Sequence, residues 1–267
     1  YNKKVSINIS AGWKTPGWVF TEGAQGFQFV WDKPWGPAYC TIVTIPVPWD
    51  PVFQAKWQEL VAAFGVKYGA DPAVTNVKLT GIGYETGVTL LPANSARNPI
   101  NGGQCLSYND TANWMAIGYT RLRMENAWLE TAEDFNAAFA DREFAGMFAY
   151  GGFPPIDDNG ERIAGATVDH QASLDLIKLG ETDYGRDRFI AQSNGLSATY
   201  IYAGVANAAA SVDTGYQMVG VLGVALRHAV PKAVHAGAKF LEIYEPDLTN
   251  PQLQSTISYA HTHLLNN

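Results

Sequence analysis

Two regions of the chain place glutamate at the end of an apolar run, where a strand would deliver it to a binding site. Glu85 lies in VTNVKLTGIGYETG, and Glu242 and Glu245 lie in GAKFLEIYEPDL. Strand alternation puts Glu242 on one face with Phe240 and Tyr244, and a charge within a hydrophobic strand is costly unless it is paired or functional. Two carboxyl groups on opposite sides of a sugar are what glycoside hydrolysis requires.

A structural role is the alternative for these carboxylates. Glu85 would then cap a loop, and Glu242 would form a buried ion pair with Arg188 or Lys78. Glu245 would simply be solvated. The placement of the carboxylates by itself leaves both interpretations open.

Aromatic residues are unusually numerous, since Phe, Trp and Tyr make up 12% of the chain. Sugar rings pack their flat faces on aromatic rings, so tryptophans in strand-end loops are candidates for a saccharide cleft. These candidates are Trp13, Trp18, Trp31, Trp35, Trp49 and Trp114. Trp57 and Trp128 lie on helical patterns and are expected in the core. For each loop tryptophan, simple packing is the competing explanation.

Polar residues at other strand ends are candidates to bind sugar hydroxyls. They are Gln192 and Asn194 in FIAQSNGL, Tyr84 beside Glu85, Tyr244 beside Glu245, and the weaker candidates Tyr150, Tyr216 and Gln217. Turn formation around Gly195 is the alternative role for the first two residues.

Other chemistries find no support in the residue pattern. The two cysteines lie far apart in the chain and so form no CxxC motif, and two are too few for a cysteine-rich zinc site. His261 and His263 do not share a helix face. The chain has no GxSxG or GxGxxG motif, and its acidic loop 157–161 lacks EF-hand spacing. We therefore expect neither a metal nor a cofactor.

The two cysteines, Cys40 and Cys105, form either one disulfide or two buried thiols. A disulfide would tie the long loop after residue 81 to the rest of the fold. It would also support an extracytoplasmic location, because disulfides persist in oxidising compartments.

Composition restricts the partners of this chain of 267 residues. Its net charge is −7, with 25 acidic against 18 basic residues and no Lys/Arg run, which argues against nucleic acid or an anionic membrane. No window approaches 18 consecutive apolar residues, so membrane insertion is not expected. The composition is typical of a soluble protein or of the mature form of an exported one.

Short β-rich runs alternate with longer helical patterns, which predicts β-α units around a parallel sheet. The predicted strands are Val5–Ser10, Thr41–Pro46, Val74–Gly81, Phe144–Tyr150, Arg188–Ser193 and Lys239–Tyr244. The predicted helices cover residues 51–68, 110–127, 168–179, 213–229 and 250–265. Long loops follow several strands, at residues 11–39, 81–109 and 151–167, as in barrels whose active face is built from such loops.

The expected fold is a single (β/α)8 barrel domain over residues 1–267. The pattern clearly indicates only six strands, whereas a closed barrel of this type has eight. Either Phe27–Val30 and Thr199–Tyr202 supply the remainder, or the first β-α unit is absent. A doubly wound sheet is the alternative, but it would normally carry a phosphate-binding glycine loop after the first strand.

Three segments resemble clan A (β/α)8 glycoside hydrolases. WDPVFQAKWQELVAAFGVKYGADPAVTNVKLTGIGYETG is similar to the segment from the third helix to the fourth strand, KKVSINISAGWKTPGWV to the second strand and its loop, and AGAKFLEIYEPDL to the seventh strand. Together they cover about a quarter of the chain. The resemblance is one of pattern and matches no single family closely.

The resemblance implies that Glu85 is the acid/base and Glu242 the nucleophile, with Glu245 as substitute if the strand register differs. In the clan the fourth strand usually ends in Asn-Glu, and here Tyr84 occupies the Asn position. This departure puts the exact family, and activity itself, in question. The resemblance also implies that the first β-α unit would precede Tyr1.

The sequence thus predicts a secreted or cell-surface glycosidase that cleaves a polysaccharide or oligosaccharide, by a two-glutamate and retaining mechanism. A non-catalytic carbohydrate-binding barrel is the main alternative. An unrelated barrel enzyme with a small polar substrate is the third.

Overall fold

A parallel sheet forms the centre of the molecule. A computed structural model describes residues 4–33, 36–37, 39–85, 87–94, 105–106, 108–149 and 152–264. Their strands are β1 (Val5–Asn8), β2 (Gly26–Val30), β3 (Ile42–Pro46), β4 (Val74–Leu79), β5 (Glu143–Phe148), β6 (Phe189–Leu196), β7 (Asp213–Met218) and β8 (Ala238–Glu242). Six of them pair in parallel in the order β1, β4, β5, β6, β7, β8.

Helices join the consecutive strands of this sheet, as parallel neighbours require. The α-helices are α1 (Gly17–Thr21), α2 (Pro51–Tyr68), α3 (Asp110–Ala116), α4 (Arg121–Ala138), α5 (His170–Asp183), α6 (Ala203–Ala208), α7 (Leu226–His235), α8 (Glu245–Leu248) and α9 (Gln254–Leu264). None of the helices in the described ranges is long and apolar enough to cross a membrane.

The sheet curls into half a barrel, so the predicted eight-unit barrel is wrong in its strand number. Within the described ranges, β1 pairs only with β4 and β8 pairs only with β7, which leaves both as edges of the sheet. A closed barrel of this type needs eight strands to return to its first one. A sheet of six strands curves through only part of the circle that a closed barrel completes.

Two predicted strands lie outside this sheet. β2 and β3 form an antiparallel hairpin with Phe27 opposite Ile45, so the run 41–46 is a strand but adds nothing to the barrel. The connection 31–41 has only eleven residues, and parallel strands need a longer crossover. The segment 199–202 is not a strand, because Ser197 Oγ accepts the N–H of Tyr200 and forms a turn there.

The prediction of a helix over residues 213–229 is wrong. Residues 213–218 form β7, and the helix begins only at Leu226. Tyr216 and Met218 are fully buried, and Gly215 lies against the ring of Phe240, where a Cβ would come within 2.3 Å of it. A strand buried on both faces loses the alternation that would identify it from sequence.

Helix α2 has the predicted range 51–68, and its local signals explain why it could be predicted from the sequence. The Asp50 carboxylate accepts the N–H of Phe53 at 2.9 Å, and Pro51 occupies the first turn. Gly65 lets α2 approach α4 closely, since a Cβ there would lie 2.3 Å from the carbonyl oxygen of Ala138. The predicted helix 110–127 is instead two helices, α3 and α4, separated at Gly118, which has a positive φ of 78°.

Cys40 and Cys105 form a disulfide, with their Cα atoms 4.8 Å apart. It ties the connection of the hairpin to the segment that precedes α3, and Cys105 is buried beside Val30. The same connection carries Lys33, which forms an ion pair with Glu85.

Replacing both cysteines with serine should lower the free energy of unfolding by about 3 kcal/mol, because the bridge closes a long loop and restricts the unfolded chain. Urea unfolding of the variant Cys40→Ser/Cys105→Ser measures this change. Reduction of the unaltered protein should produce a similar loss. A loss below about 1 kcal/mol in both would contradict a stabilising role for the disulfide.

Candidate functional site

Glu85 and Glu242 line one cavity at the carboxyl edge of the parallel sheet. The cavity has a volume of about 420 Å³. Its lining residues are Ser6, Asn8, Lys78, Glu85, Gly87, Val88, Met147, Asn194, Gln217, Glu242 and Tyr244. The two carboxylates come from opposite parts of the sheet, because Glu85 follows β4 and Glu242 ends β8.

Three donors hold the carboxylate of Glu242. Lys78 Nζ lies 2.6 Å from Oε1, and the amide nitrogens of Gln192 and Gln217 each donate to Oε2 at 3.0 Å. The Glu242 side chain is 30% exposed, so the cavity reaches it despite these partners. Charged hydrogen bonds of this kind are short and strong, and they fix the position of a carboxylate.

Lys78 is a buried cation on β4, with only 3% of its surface exposed. Its Nζ also donates to Gln192 Oε1 at 2.6 Å and lies 4.4 Å from the centre of the Phe240 ring. Burial lowers the pKa of Lys78, and the adjacent Glu242 opposes that shift. The alternative prediction of an ion pair at Glu242 is thus confirmed for Lys78. Arg188 instead donates to Asn136 and to carbonyl groups after α4.

Glu85 pairs with a lysine in the loop region above β4. Lys33 Nζ forms an ion pair with Glu85 Oε1, and it also lies 4.9 Å from the centre of the Tyr84 ring. Burial raises the pKa of Tyr84 well above its ordinary value, and the negative charge of Glu85 raises it further. Tyr84 therefore stays un-ionised beside Glu85.

The backbone around Tyr84 is fixed by a close approach at Gly12. The N–H of Trp13 donates to the Tyr84 carbonyl oxygen at 3.2 Å, and the N–H of Tyr84 donates to Leu90 at 3.0 Å. Gly12 has a φ of 60°, and a Cβ on it would lie 2.4 Å from the Tyr84 oxygen. Only glycine fits this position, which sets where Glu85 enters the cavity.

No family model matches this chain, and no curated protein matches it significantly.

The strand count departs from the clan A pattern. In that pattern the two glutamates follow the fourth and seventh strands, three strands apart. Here Glu85 follows β4 and Glu242 ends β8, which is four strands further along the sheet. The two glutamates therefore share a cavity but do not occupy the strand positions of the clan.

Most of the tryptophans lie in or against the main hydrophobic core, which also contains residues of the parallel sheet. Trp31 and Trp114 are buried, and Trp114 stacks on Phe27 with ring centres 3.5 Å apart. Trp13 and Trp49 pack edgewise or tilted against these two indoles, at 6.0 Å and 5.6 Å. No tryptophan of the described ranges lines the cavity of Glu85 and Glu242. The expected cleft of stacked tryptophans is not found there, because these rings pack against one another and against Phe27.

Trp18 lies elsewhere on the surface, as does Glu245. Trp18 is 52% exposed and borders a second, apolar cavity against Phe53 and Trp57 of α2. Glu245 is exposed at the start of α8 and does not line the central cavity. Trp57 and Trp128 are buried, which confirms their predicted place in the core.

The predicted polar candidates divide into two groups. Asn194 and Tyr244 line the cavity, whereas Gln192 is fully buried behind it and bridges Lys78 and Glu242. Tyr216 is buried and does not line the cavity. The predicted residues Trp35 and Tyr150 lie outside the described residues.

Ser6, Asn8 and Lys33 were not predicted from the sequence. Ser6 and Asn8 alternate with Val5 and Ile7 in β1, so their period of two is a usable signal for a polar inner face. Lys33 has no such signal, because it reaches Glu85 from the connection of the hairpin. Within the described ranges, no group of three or more His, Cys, Asp or Glu side chains is arranged to hold a metal ion.

Asp110 is a buried carboxyl group that anchors the loop after Glu85. Its Oδ2 accepts the N–H of Asn94 at 3.0 Å, and Oδ1 has no hydrogen-bond partner among the described residues. Burial raises the pKa of Asp110 to about 7, the Asn94 N–H opposes this, and Asp32 adds to it. The unfolded chain releases the same proton near pH 4.

Stability should therefore fall as the pH rises from about 4 to about 7, where only the unfolded chain has lost the proton, and level off above that. Asp110→Asn should remove the part of this dependence that Asp110 supplies, making the variant more stable than the unaltered protein by about 2–4 kcal/mol at pH 8 but not at pH 4. Glu125, whose pKa burial also raises to about 7, should keep its own part in both proteins. Urea unfolding at the two pH values measures the difference. The exposed Asp141→Asn is the control, and parallel curves for the Asp110 variant and the unaltered protein would refute the prediction.

Proposed function

We propose that the protein is a glycoside hydrolase in which Glu85 and Glu242 act on a sugar bound between them. The observation that carries this proposal is the single cavity that both carboxylates line at the carboxyl edge of the sheet. Active sites of α/β barrels lie at this edge. A volume of about 420 Å³ is within the range of small-ligand sites.

Glu242 suits the role of nucleophile. Lys78, Gln192 and Gln217 keep its carboxylate oriented, and its 30% exposed side chain is open to the cavity. In the retaining form of the reaction, Glu242 attacks the anomeric carbon as the bond to the leaving oxygen breaks. Water then attacks the same carbon and releases Glu242.

Lys33 pairs with Glu85 through a side chain that is 27% exposed. Entry of the substrate would displace the Lys33 ammonium and place the glycosidic oxygen against Glu85. Glu85 would take a proton from solvent as the ion pair opens, give that proton to the leaving oxygen, and take one from water in the second step. Asn8, Asn194 and Gln217 supply amide groups for the sugar hydroxyls.

A non-catalytic carbohydrate-binding barrel is the second candidate. It is favoured by the pairing of each carboxylate with a lysine, Glu85 with Lys33 and Glu242 with Lys78. Ion pairs of this kind neutralise the charges that hydrolysis uses. The polar cavity would then bind a saccharide without cleaving it.

A panel of aryl glycosides and polysaccharides, assayed by released chromophore and reducing ends, separates the two candidates. Hydrolysis by the unaltered protein, absent from the double variant Glu85→Gln/Glu242→Gln, is the expected result. Saccharide binding by calorimetry without hydrolysis of any substrate would favour the binding protein. The double variant as blank excludes a contaminating enzyme.

We further propose that the protein works outside the cytoplasm. The Cys40–Cys105 disulfide supports this location, since structural disulfides are rare in reducing compartments.

A further inference from the structure

Three side chains hold the carboxylate of Glu242, and they differ in the hydrogen-bonding capacity that they keep. Lys78 pairs with Oε1, and the amide nitrogens of Gln192 and Gln217 both donate to Oε2 at 3.0 Å. An ionised carboxylate accepts hydrogen bonds and donates none, so each amide must turn its nitrogen toward Glu242. The orientation of both amide groups follows from this contact.

Gln192 uses both ends of its amide inside the protein. Its Oε1 accepts a hydrogen bond from Lys78 Nζ at 2.6 Å, and its Nε2 donates to Asn194 Oδ1 at 3.0 Å as well as to Glu242. The residue is fully buried behind the cavity. Gln192 therefore serves the network that holds Glu242 and does not meet a ligand.

Gln217 is placed differently, on β7. It is the register partner of Glu242, it lines the cavity, and it is only partly buried. Its Nε2 donates to Glu242, whereas its Oε1 has no hydrogen-bond partner among the residues that the structure describes and is not one of their buried polar atoms. Gln217 thus brings an accessible carbonyl oxygen to the cavity wall beside Glu242.

The position of this oxygen determines which group of a sugar it can meet. A nucleophilic carboxylate contacts the anomeric carbon, and the neighbouring ring carbon carries the 2-hydroxyl group. The two ends of the Gln217 amide are only roughly 2 Å apart, so its Oε1 lies close to the carboxylate that its Nε2 contacts. When a sugar is seated for attack by Glu242, its 2-hydroxyl is therefore the hydroxyl nearest to Oε1.

We propose that Gln217 is a specificity-determining residue, whose Oε1 accepts a hydrogen bond from the 2-hydroxyl of the sugar. The inference rests on the proposed function for the placement of the sugar, and it names the substrate class as glycosides with a free hydroxyl at carbon 2. A sugar without this hydroxyl leaves the carbonyl oxygen unpaired, which a site of this kind discriminates against. Hydrogen bonds to the 2-hydroxyl strengthen in the transition state, so turnover should discriminate more than binding.

A role limited to holding Glu242 is the alternative for Gln217, and Gln192 provides the comparison. Both glutamines donate to the same oxygen at the same distance, but only Gln217 lines the cavity. Loss of the contact with Glu242 alone should slow 2-hydroxy and 2-deoxy glycosides by the same factor. Loss of a sugar contact should slow the 2-hydroxy substrate selectively.

Calorimetry with both anomers of the methyl glycosides of glucose, galactose and xylose, and with their 2-deoxy counterparts, tests the proposal. For at least one sugar, we expect the 2-hydroxy form to bind about tenfold more tightly than the 2-deoxy form. Gln217→Met should remove this preference. Gln192→Met should keep it, as should Asn8→Ala, which removes another amide of the cavity wall.

Kinetics on aryl glycosides of the same sugar give a second measurement. Gln217→Met should lose about 10²-fold in kcat/KM on the 2-hydroxy substrate and less than about tenfold on the 2-deoxy substrate. Comparison of the variant with the unaltered protein on each substrate cancels the different intrinsic reactivity of the two glycosides.

Equal affinity for the two forms would overturn the proposal, as would a preference that survives in Gln217→Met. Equal slowing of both substrates in Gln217→Met would also overturn it and leave Gln217 with the single role of holding Glu242. A preference that Gln217→Met abolishes, in a protein that hydrolyses nothing, would support the sugar contact while rejecting the hydrolase. Absence of binding for every methyl glycoside would reject both.

Discussion

Replacing Glu242 with Gln should reduce kcat/KM by about 10³-fold on every substrate that the protein hydrolyses, because an amide cannot attack the anomeric carbon. The change keeps the size of the side chain and its contacts with Gln192 and Gln217. Binding of the sugar should therefore change far less than turnover. Steady-state kinetics together with calorimetry on the same glycoside measure the two effects.

The corresponding change at Glu85 should depend on the leaving group. Glu85→Gln should lose about 10³-fold on alkyl glycosides, which need a proton on the departing oxygen, and less than about tenfold on dinitrophenyl glycosides, which do not. Glu245→Gln is the control, since Glu245 is exposed outside the cavity. Equal losses in Glu85→Gln on both substrates would reject the acid role, and turnover by Glu242→Gln above a tenth of the original would reject the nucleophile.

Lys78→Met should destabilise the protein by about 3 kcal/mol and reduce turnover by about 10²-fold. Removal of the ammonium leaves the partly buried carboxylate of Glu242 without its counter-ion, and breaking one side of such a pair is strongly unfavourable. The loss of activity follows because a misplaced catalytic group reacts slowly. Chemical unfolding and kinetics on the same preparation measure both quantities.

Lys239→Met is the matched control for this prediction. Lys239 also lies on the sheet and pairs with Glu143 and Asp213, but it is 42% exposed, so its removal should cost no more than about 1 kcal/mol. In the double variant Lys78→Met/Glu242→Gln, much of the stability should return, because the unpaired charge is gone. Equal losses for Lys78→Met and Lys239→Met would contradict a special role for the buried pair.

Elements with strong local signals were predictable from the sequence. Helix α2 has an N-cap, a proline in its first turn and one apolar face, and its predicted range is the observed one. β7 was missed because burial on both faces removes the period of two. The hairpin β2 and β3 was assigned to the wrong sheet, since strand propensity does not specify a pairing partner.

The candidate site was predictable in part. Glu85, Glu242, Asn194 and Tyr244 were recognised from strand-end positions, and they line one cavity. The tryptophans were assigned to the cavity because a loop position does not distinguish a ligand-facing ring from one that packs. Trp31 and Trp114 are buried under the hairpin, a contact between segments that no local pattern records.

The sequence by itself determined the β-α rhythm, the capped helices and the two strand-end glutamates, because these depend on residues close together in the chain. Only the tertiary structure decided that the sheet stops at half a barrel, that Lys78 and Lys33 pair with the two glutamates, and that the described tryptophans lie away from the cavity. These contacts join segments far apart in the chain. Their geometry follows from packing and charge pairing, which a local pattern does not encode.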